Sequence, residues 1–146
     1  MAHDISFFGT QVSLTASFTF PNGISISQFA DDGDPLNITE MKIGDAAMSV
    51  NGTLVAWRKP AVIMIDMNII PNSEDDKNLQ ILFDNNRLSK NHSSSNDVLT
   101  ITCAFPDGTT ATYTGGIMLQ GLAGNSGASS GRFKSKKYQF AFEDKI

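Results

Sequence analysis

Apolar and polar residues alternate along much of the chain, with the period of two that is typical of half-buried β-strands. In residues 12–20, every second side chain is apolar and the side chains between them are Ser or Thr. Pro21-Asn22-Gly23 follows, and Asn-Gly favours a tight turn because it tolerates positive φ at both central positions. We therefore predict that the chain begins with a β-hairpin, whose second strand covers residues 24–29.

Similar patterns predict further strands, which are bounded by Gly, Pro, Asn and Asp clusters. Asn51-Gly52 and Pro106-Asp107-Gly108 predict the turns of two more hairpins. Gly115-Gly116 is predicted to end the strand at residues 109–114 and to open a short apolar piece at residues 117–122. The predicted segments are residues 37–43, 46–50, 54–58, 61–70, 98–105, 109–114, 117–122 and 132–142.

A single helix is predicted, at about residues 73–88. Ser73 is the expected N-cap, and the three acidic residues after it suit the positive end of the helix dipole. One face carries Leu79, Leu82 and Phe83, whereas Asp76, Lys77, Gln80 and Asp84 are predicted to stay in water. The fold class predicted is mainly β: an antiparallel β-sandwich or curved sheet of about eight strands with one flanking α-helix.

The length of 146 residues predicts a single domain over residues 1–146, in which the Gly/Ser-rich stretch 121–131 is a flexible loop. The formal charge of −4 argues against general nucleic-acid binding. Residues 1–131 carry six Lys or Arg against thirteen Asp or Glu (−7), and residues 132–146 carry five against two (+3). This basic end is either a solvated strand face or a surface that docks to a neighbouring subunit. The candidates for such a contact are Arg132, Lys134, Lys136 and Lys137.

Cysteine content and hydropathy suggest where the protein resides. Cys103 lies among alternating apolar residues, which predicts a buried structural thiol, and a lone cysteine excludes an internal disulfide framework. No signal-peptide pattern and no run of about 18 apolar residues is present, so we expect neither that route of secretion nor membrane insertion. We expect the protein to be made in a cytoplasm.

Catalytic and metal-binding motifs are weak. Residues 127–131 match G-x-S-x-G but lie in a Gly/Ser stretch, and the two histidines, His3 and His92, lack companions at metal-ligand spacing. Asp31, Asp32 and Asp34 form an acidic loop that is a weak calcium candidate, although side chains bonded to local backbone amides explain it more simply. We therefore predict no enzyme and no cofactor.

Two further residues are unusual for their positions. Asp66 interrupts an apolar strand and is predicted to face solvent or to pair with Arg58 or Lys59, a subunit contact being a further alternative. Trp57 is predicted to be a core residue, since a single Trp in a strand is usually buried.

The chain resembles a bacteriophage tail tube protein, and most closely the family of contractile-tailed phages. The resemblance rests on Phe29-Ala30-Asp31-Asp32-Gly33-Asp34, on Asn51-Gly52-Thr53-Leu54-Val55, and on the strand leading into Ser73-Glu74-Asp75-Asp76 with Leu79 and Leu82. It covers about residues 23–88, with 132–142 as a looser match. Its motifs are turns and apolar positions.

The resemblance implies a structural virion protein: a β-sandwich with a flanking helix that assembles in the host cytoplasm as stacked, hexameric rings. Such rings would form a hollow conduit for DNA. The implied partners are further copies of the chain, the tail sheath, and baseplate or tail-terminator proteins, with DNA passing through unbound.

A conduit for DNA should avoid fixed positive charge on its lining, because Lys or Arg would bind phosphates. The candidate lining residues are Ser13, Thr15, Ser17 and Thr19, with Thr100, Thr102, Thr110 and Thr112 as a second group. The alternative function is a β-sandwich binding module, such as a sugar- or calcium-binding fibre domain. In that case Trp57 beside Arg58 is the candidate platform.

Overall fold

The computed structural model describes residues 5–146, and His3 lies outside this range. Within it, ten strands and one helix occur in chain order. The strands are β1 (Gln11–Ala16), β2 (Phe20–Ile26), β3 (Leu36–Ile38), β4 (Gly44–Met48), β5 (Leu54–Arg58), β6 (Ile63–Ile69), β7 (Leu99–Ala104), β8 (Thr110–Gln120), β9 (Lys136–Phe142) and β10 (Asp144–Lys145); the helix, α1 (Glu74–Asn86), lies between β6 and β7. The predicted mainly β fold with one helix is confirmed.

Eight of the strands form one antiparallel sheet in the order β2-β1-β7-β8-β9-β6-β3, with β10 pairing to β8. The strand β8 joins the two halves of this sheet, because its first part pairs with β7 and β10 and its last part pairs with β9. Both halves contribute to one core, so the sheet curves around its own apolar face. The strands β4 and β5 form a separate two-stranded sheet.

The prediction that Gly115-Gly116 ends a strand was wrong, since β8 continues through both residues. Gly115 adopts a φ of +64°. A Cβ on Gly116 would overlap the ring of Phe142, so a residue without a side chain is required there. The two glycines let β8 pass from one half of the sheet to the other over a bulky aromatic residue.

The position of the first turn was also predicted wrongly. The strands β1 and β2 do pair antiparallel, but the chain reverses at residues 17–19. Asn22 and Gly23 lie within β2, opposite Thr15, where the register is irregular and Gly23 has a φ of +82°. The conformation that Asn-Gly favours is thus used in a bulge. Phe18, predicted to face the core, is 71% exposed.

The core confirms most of the predicted alternation. Tyr138, Phe140 and Phe142 are all buried on one face of β9. Cys103 is buried as predicted, and burial raises the pKa of its thiol. The buried cluster also contains Val12, Leu14, Ala16, Ile26, Ile63, Ile65, Met67, Ile69, Leu79, Leu82, Leu99, Ile101, Ala111 and Tyr113.

The helix α1 packs Leu79 and Leu82 into this core and begins as predicted, with the Ser73 side chain accepting from the Asp76 amide. The prediction that Asp76 stays in water was wrong. Asp76 is buried, and its carboxylate accepts from the Tyr138 hydroxyl at 2.8 Å and from the Asn72 amide at 2.9 Å. Among the described residues, no helix has the length and apolar character needed to cross a bilayer.

Candidate assembly surfaces

The hairpin of β4 and β5, here called the ribbon, pairs with no other strand among the described residues. Its register runs from Gly44–Arg58 at the base to Met48–Leu54 near the tip. The predicted Asn51-Gly52 turn is confirmed: Gly52 has a φ of +82°, and its amide donates to Ser49 O at 2.9 Å. Local sequence therefore determines the shape of the ribbon.

The base of the ribbon is held by polar contacts. The Lys59 amide donates to Ile43 O at 3.0 Å, and Asp45 forms ion pairs with Lys42 and Lys59. The strands also approach closely, because a Cβ on Gly44 would lie 2.9 Å from the Trp57 carbonyl oxygen. These contacts hold the ribbon in a defined shape without burying it.

Both faces of the ribbon are apolar and exposed. One face carries Trp57 and Val55, which are each 50% exposed, and the other carries Met48 and Leu54, at 66% and 64%. The prediction that Trp57 is a core residue was wrong. Consecutive apolar residues in β5 are typical of a strand covered on both faces, but no residue among 5–146 buries them. Exposed apolar surfaces of this kind are typical of sites that contact another protein or a ligand.

The edges of the main sheet are less suited to pairing with another chain. The edge strand β2 contains Pro21, which lacks an amide donor, and the irregular register opposite Thr15. The other edge strand, β3, has only three residues. Proline, bulges and short strands are the means by which proteins block sheet edges. The ribbon, in contrast, has two open edges.

A Ser/Thr surface covers the outer side of β1, β7 and β8. Ser13 lies opposite Thr102, which lies opposite Thr112, and Thr15 lies opposite Thr100. The Thr102 and Thr112 hydroxyls are 3.5 Å apart. These residues form uncharged rows, as the alternation in β1 predicts. Thr110, the remaining predicted member, is exposed at the start of β8 and pairs with Ala104.

Ser17 and Thr19 differ from the other two predicted lining residues of this segment, because they lie in the turn after β1 and not on the strand. The Ser17 hydroxyl accepts from the Val98 amide at 3.0 Å. The Thr19 hydroxyl donates to Asp97. Both side chains therefore hold the turn in place.

Asp97, which no sequence pattern identifies, is the centre of this turn. Its carboxylate is 3% exposed and accepts from the Phe18 amide at 2.7 Å, the Thr19 amide at 3.0 Å and the Asn86 side chain at 2.8 Å. Burial alone would raise the pKa of Asp97, but hydrogen bonds from Thr19, Asn86 and the two amides together lower it. Asp97 thus connects the first turn to the end of α1. No local pattern marks it, since Phe18 is 79 residues away.

The predicted basic contact residues are mostly engaged within the chain. Arg132 pairs with Asp31 at 3.2 Å, which lowers the pKa of Asp31. Lys136 is buried and lies 3.3 Å from Asp76, so it is not accessible to a neighbouring subunit. Lys134 alone has no carboxylate partner among the described residues.

Lys137, the fourth of these residues, lies 3.5 Å from Asp66. The predicted alternatives for Asp66 therefore resolve into an ion pair, but its partner is Lys137 on β9 and not Arg58 or Lys59. Asp66 is 5% exposed, so the prediction of a solvent-facing carboxylate was wrong.

The acidic loop is held by contacts with distant residues. Besides the Arg132–Asp31 pair, the Asp32 carboxylate accepts from the Ser135 hydroxyl at 2.6 Å. The backbone carbonyl of Asp34 accepts from the Asn68 side chain at 2.7 Å. Within residues 5–146, no group of three or more His, Cys, Asp or Glu side chains is arranged to hold a metal ion.

The remaining motifs lie in loops. Residues 127–131 form an irregular turn, in which the Gly131 amide donates to Ala128 O at 3.1 Å and Gly127 bridges to Phe133. His92 Nδ1 lies 3.1 Å from the Arg87 carbonyl oxygen. The G-x-S-x-G residues do not join a strand to a helix, which is the context that a nucleophile elbow requires.

Comparisons with known proteins identify a family for the chain and a solved structure with a similar fold. A family model described as "Tail fiber protein gp32" matches residues 3–146. Among solved structures, the chain resembles one titled "Cryo-EM Structure of an Extracellular Contractile Injection System, PVC sheath/tube terminator in extended state". That match has a TM-score of 0.60 and 10% identity, and it covers 100% of this chain and 97% of the other. No curated protein sequence matches the chain.

Proposed function

The chain belongs to the tail fiber protein gp32 family and is a phage tail-related protein, and from this premise we propose that it is a ring-forming subunit of the central conduit of a tail. In this role several copies surround a channel, as in a tail tube, and the rings stack or meet a neighbouring tail component. The assembly takes place in the host cytoplasm. The role requires no catalytic residue.

The ribbon provides the main support for this proposal. An isolated two-stranded hairpin is marginally stable in water, and this one exposes apolar side chains on both faces. Contact with a neighbouring copy would bury Trp57, Val55, Met48 and Leu54. The blocked edges of β2 and β3 make lateral sheet extension unfavourable, so the ribbon is the surface through which copies would join.

The Ser/Thr surface suits the inner wall of such a ring. Ser13, Thr15, Thr102 and Thr112 present hydroxyl groups and no charge, so DNA phosphates would find no fixed cation there. We assign Ser17 and Thr19 to the rim of the channel, because they lie in the turn after β1. We expect that replacing Thr15 and Thr102 with Lys leaves the fold intact but slows DNA ejection from the assembled particle. Ejection at the normal rate would remove this face from the lining.

A single closing ring is a second candidate, favoured by the full-length likeness to a sheath/tube terminator structure. A tube subunit would form stacks of many rings, whereas a terminator would form one ring and stop. Both functions use the same lateral contact, so the length of the assembly distinguishes them. In either case the partners proposed are the sheath, the baseplate and other tube or terminator proteins.

A sugar-binding fibre domain is the third candidate, favoured by the exposure of Trp57. The ring lies beside Asp45 and Arg58 in a shallow depression of about 380 Å³. Aromatic faces flanked by polar groups are typical of carbohydrate sites. Quenching of the fluorescence of Trp57, the only tryptophan in the chain, by a panel of bacterial surface glycans would favour this function. No quenching together with ring formation would reject it.

Electron microscopy of the purified full-length protein over a concentration series, with light scattering on the same samples, tests the proposal. We expect rings or short tubes. The double variant Val55→Ser/Trp57→Ser should remain folded and fail to form rings. Phe133→Ser is the matched control, since Phe133 is 46% exposed and lies outside the ribbon. A monomeric wild-type protein at every concentration, or rings formed by the double variant, would contradict the proposal.

A further inference from the structure

The turn after β1 presents a large apolar side chain on a rigid support. Phe18 is 71% exposed, and Val98 beside it is 54% exposed. The two are joined through Ser17, whose amide donates to Val98 O at 3.2 Å. Asp97 holds the Phe18 amide from beneath at 2.7 Å. A well-supported turn that exposes phenylalanine is arranged for contact, because such ordering reduces the entropy lost on binding.

A cavity of matching character lies at the other end of the same strands. It has a volume of about 500 Å³ and is lined by Ile5, Phe7, Phe105, Pro106, Asp107 and neighbouring residues. Phe7 is held in place by an edge-on contact with Phe29, with ring centres 6.2 Å apart. Ile5 is 94% exposed at the rim. The cavity is large enough for an aromatic side chain and has apolar walls to receive it.

The two features cannot meet within one copy. In the β1–β7 pair, Ala16 lies opposite Leu99 next to the Phe18 turn, and Gln11 lies opposite Ala104 next to the cavity. Six residues of β-strand separate the ends by roughly 20 Å. A projection at one end and a cavity at the other form a heterologous pair, the kind of contact that builds open stacks.

Charge is arranged to support the same contact. The cavity carries Asp107, whose pKa is lowered by hydrogen bonds from the Thr109 hydroxyl and amide, so that it stays ionised. The helix α1 ends beside the Phe18 turn, where Asn86 bonds to Asp97. The loop that follows α1 carries Lys90, which has no carboxylate partner among the described residues. An exposed negative charge, Asp107, thus lies at the cavity and an exposed positive charge, Lys90, lies in the loop after α1, whereas the Asp97 carboxylate at the Phe18 turn is buried.

We propose that Phe18 of one copy inserts into the Ile5/Phe7/Phe105/Pro106 cavity of a copy in the next ring, and that this contact stacks the rings. The inference rests on the proposed function, because it needs rings to stack. Each single contact is small, but every subunit of a ring contributes one, and the contributions add within the ring. The ribbon joins copies laterally, and the Phe18 contact joins them axially.

The test compares three full-length variants by sedimentation velocity and electron microscopy. Phe18→Ser and Ile5→Asp each alter one side of the contact at an exposed position, so their melting temperatures should equal that of the wild type. Both should form single rings and should need far more than tenfold more protein to stack, since one buried phenylalanine changes the affinity of a single contact by about ten- to a hundredfold and every subunit of the ring loses its contact. Phe133→Ser, the matched control, should stack like the wild type.

Disulfide cross-linking tests the geometry directly. A double variant with Phe18→Cys and Pro106→Cys should give a ladder of linked copies on oxidation, whereas each single variant should not; the native Cys103 is buried and will not interfere. The inference would be overturned if Phe18→Ser stacked at the same concentration as the wild type, or if the double cysteine variant stacked without giving a ladder. Neither outcome would contradict the formation of rings. An absence of rings in the wild type would reject the proposed function itself, and with it the inference.

Discussion

The curved sheet and the ribbon are built from similar residues but differ in what covers them. In β6, Ile63, Ile65, Met67 and Ile69 are all buried. In β4 and β5, no residue is buried, although both strands are rich in apolar side chains. Burial of apolar surface supplies most of the free energy of folding, so the sheet accounts for the stability of the monomer. The apolar character of the ribbon requires another explanation, and contact with a second copy provides one.

The largest expected effects compare an aromatic residue from each region. Phe140→Ala would leave a cavity in the core and should lower the free energy of unfolding by about 3–5 kcal/mol. Trp57→Ala removes a larger side chain from the ribbon and should change the free energy of unfolding by less than about 0.5 kcal/mol. Chemical denaturation of both variants at a concentration where the protein is monomeric makes the comparison. A large loss of unfolding free energy for Trp57→Ala would show that the ribbon stabilises the monomer, and the sheet and the ribbon would then not differ in this respect.

Asp97→Ala should have the next largest effect, because it leaves the partly buried amides of Phe18 and Thr19 without this acceptor. We expect a loss of about 3 kcal/mol in the free energy of unfolding. Asp97→Asn keeps the size of the side chain and serves as the control for packing. A loss below about 1 kcal/mol would mean that the turn is held by other contacts.

Acid should weaken the same network in the wild type. Because the pKa of Asp97 is lowered in the folded state, its contribution is present above the unfolded value of about 3.9 and is lost as the pH falls through the folded value. Unfolding measured between about pH 5 and pH 2 should therefore show a steeper loss of stability for the wild type than for Asp97→Asn. Identical slopes would contradict this assignment.

Gly116→Ala tests the point where β8 crosses Phe142. The added Cβ would overlap the ring, and the cost of such overpacking is about 1–3 kcal/mol. Gly124→Ala is the matched control, since a Cβ there has no atom within 4 Å and the residue does not need positive φ. Thermal unfolding of the two variants measures the difference. Equal stability of the two variants would mean that the Phe142 ring moves aside without a loss of folding stability.

The smallest effect is expected for Arg132→Ala. Arg132 and Asp31 are both exposed, and exposed ion pairs contribute little to stability. We expect no measurable change in melting temperature and no change in ring formation, since the pair is satisfied within one chain. A loss of rings would restore Arg132 as a contact between subunits.

Local patterns were sufficient to predict most of the sheet and the helix. Alternation located the strands that line the core, including Tyr138, Phe140 and Phe142, because a half-covered strand must place apolar residues on one face. Ser73 located the start of α1, because a helix needs an acceptor for its first amides. Both are features of neighbouring residues.

The failures involve partners that are distant in the sequence or outside it. The first turn forms at residues 17–19 and not at Asn22-Gly23 because Asp97 holds the Phe18 and Thr19 amides. Asp76 is buried because Tyr138 and Lys136 lie on β9, 60 or more residues away. The exposure of Trp57 has no signal in the sequence, since apolar residues that contact another copy have the same pattern as those of a core.

Hydrogen exchange of the ribbon amides in dilute and assembled protein shows whether the ribbon is the surface through which copies join. In dilute monomer, the amides of residues 44–58 should exchange far faster than those of β6 and β9, because the ribbon hydrogen bonds are exposed to water. On assembly, we expect the exchange of the ribbon amides to slow by at least tenfold, with little change in β6. Ribbon amides that exchange equally fast in rings and in monomers would contradict it.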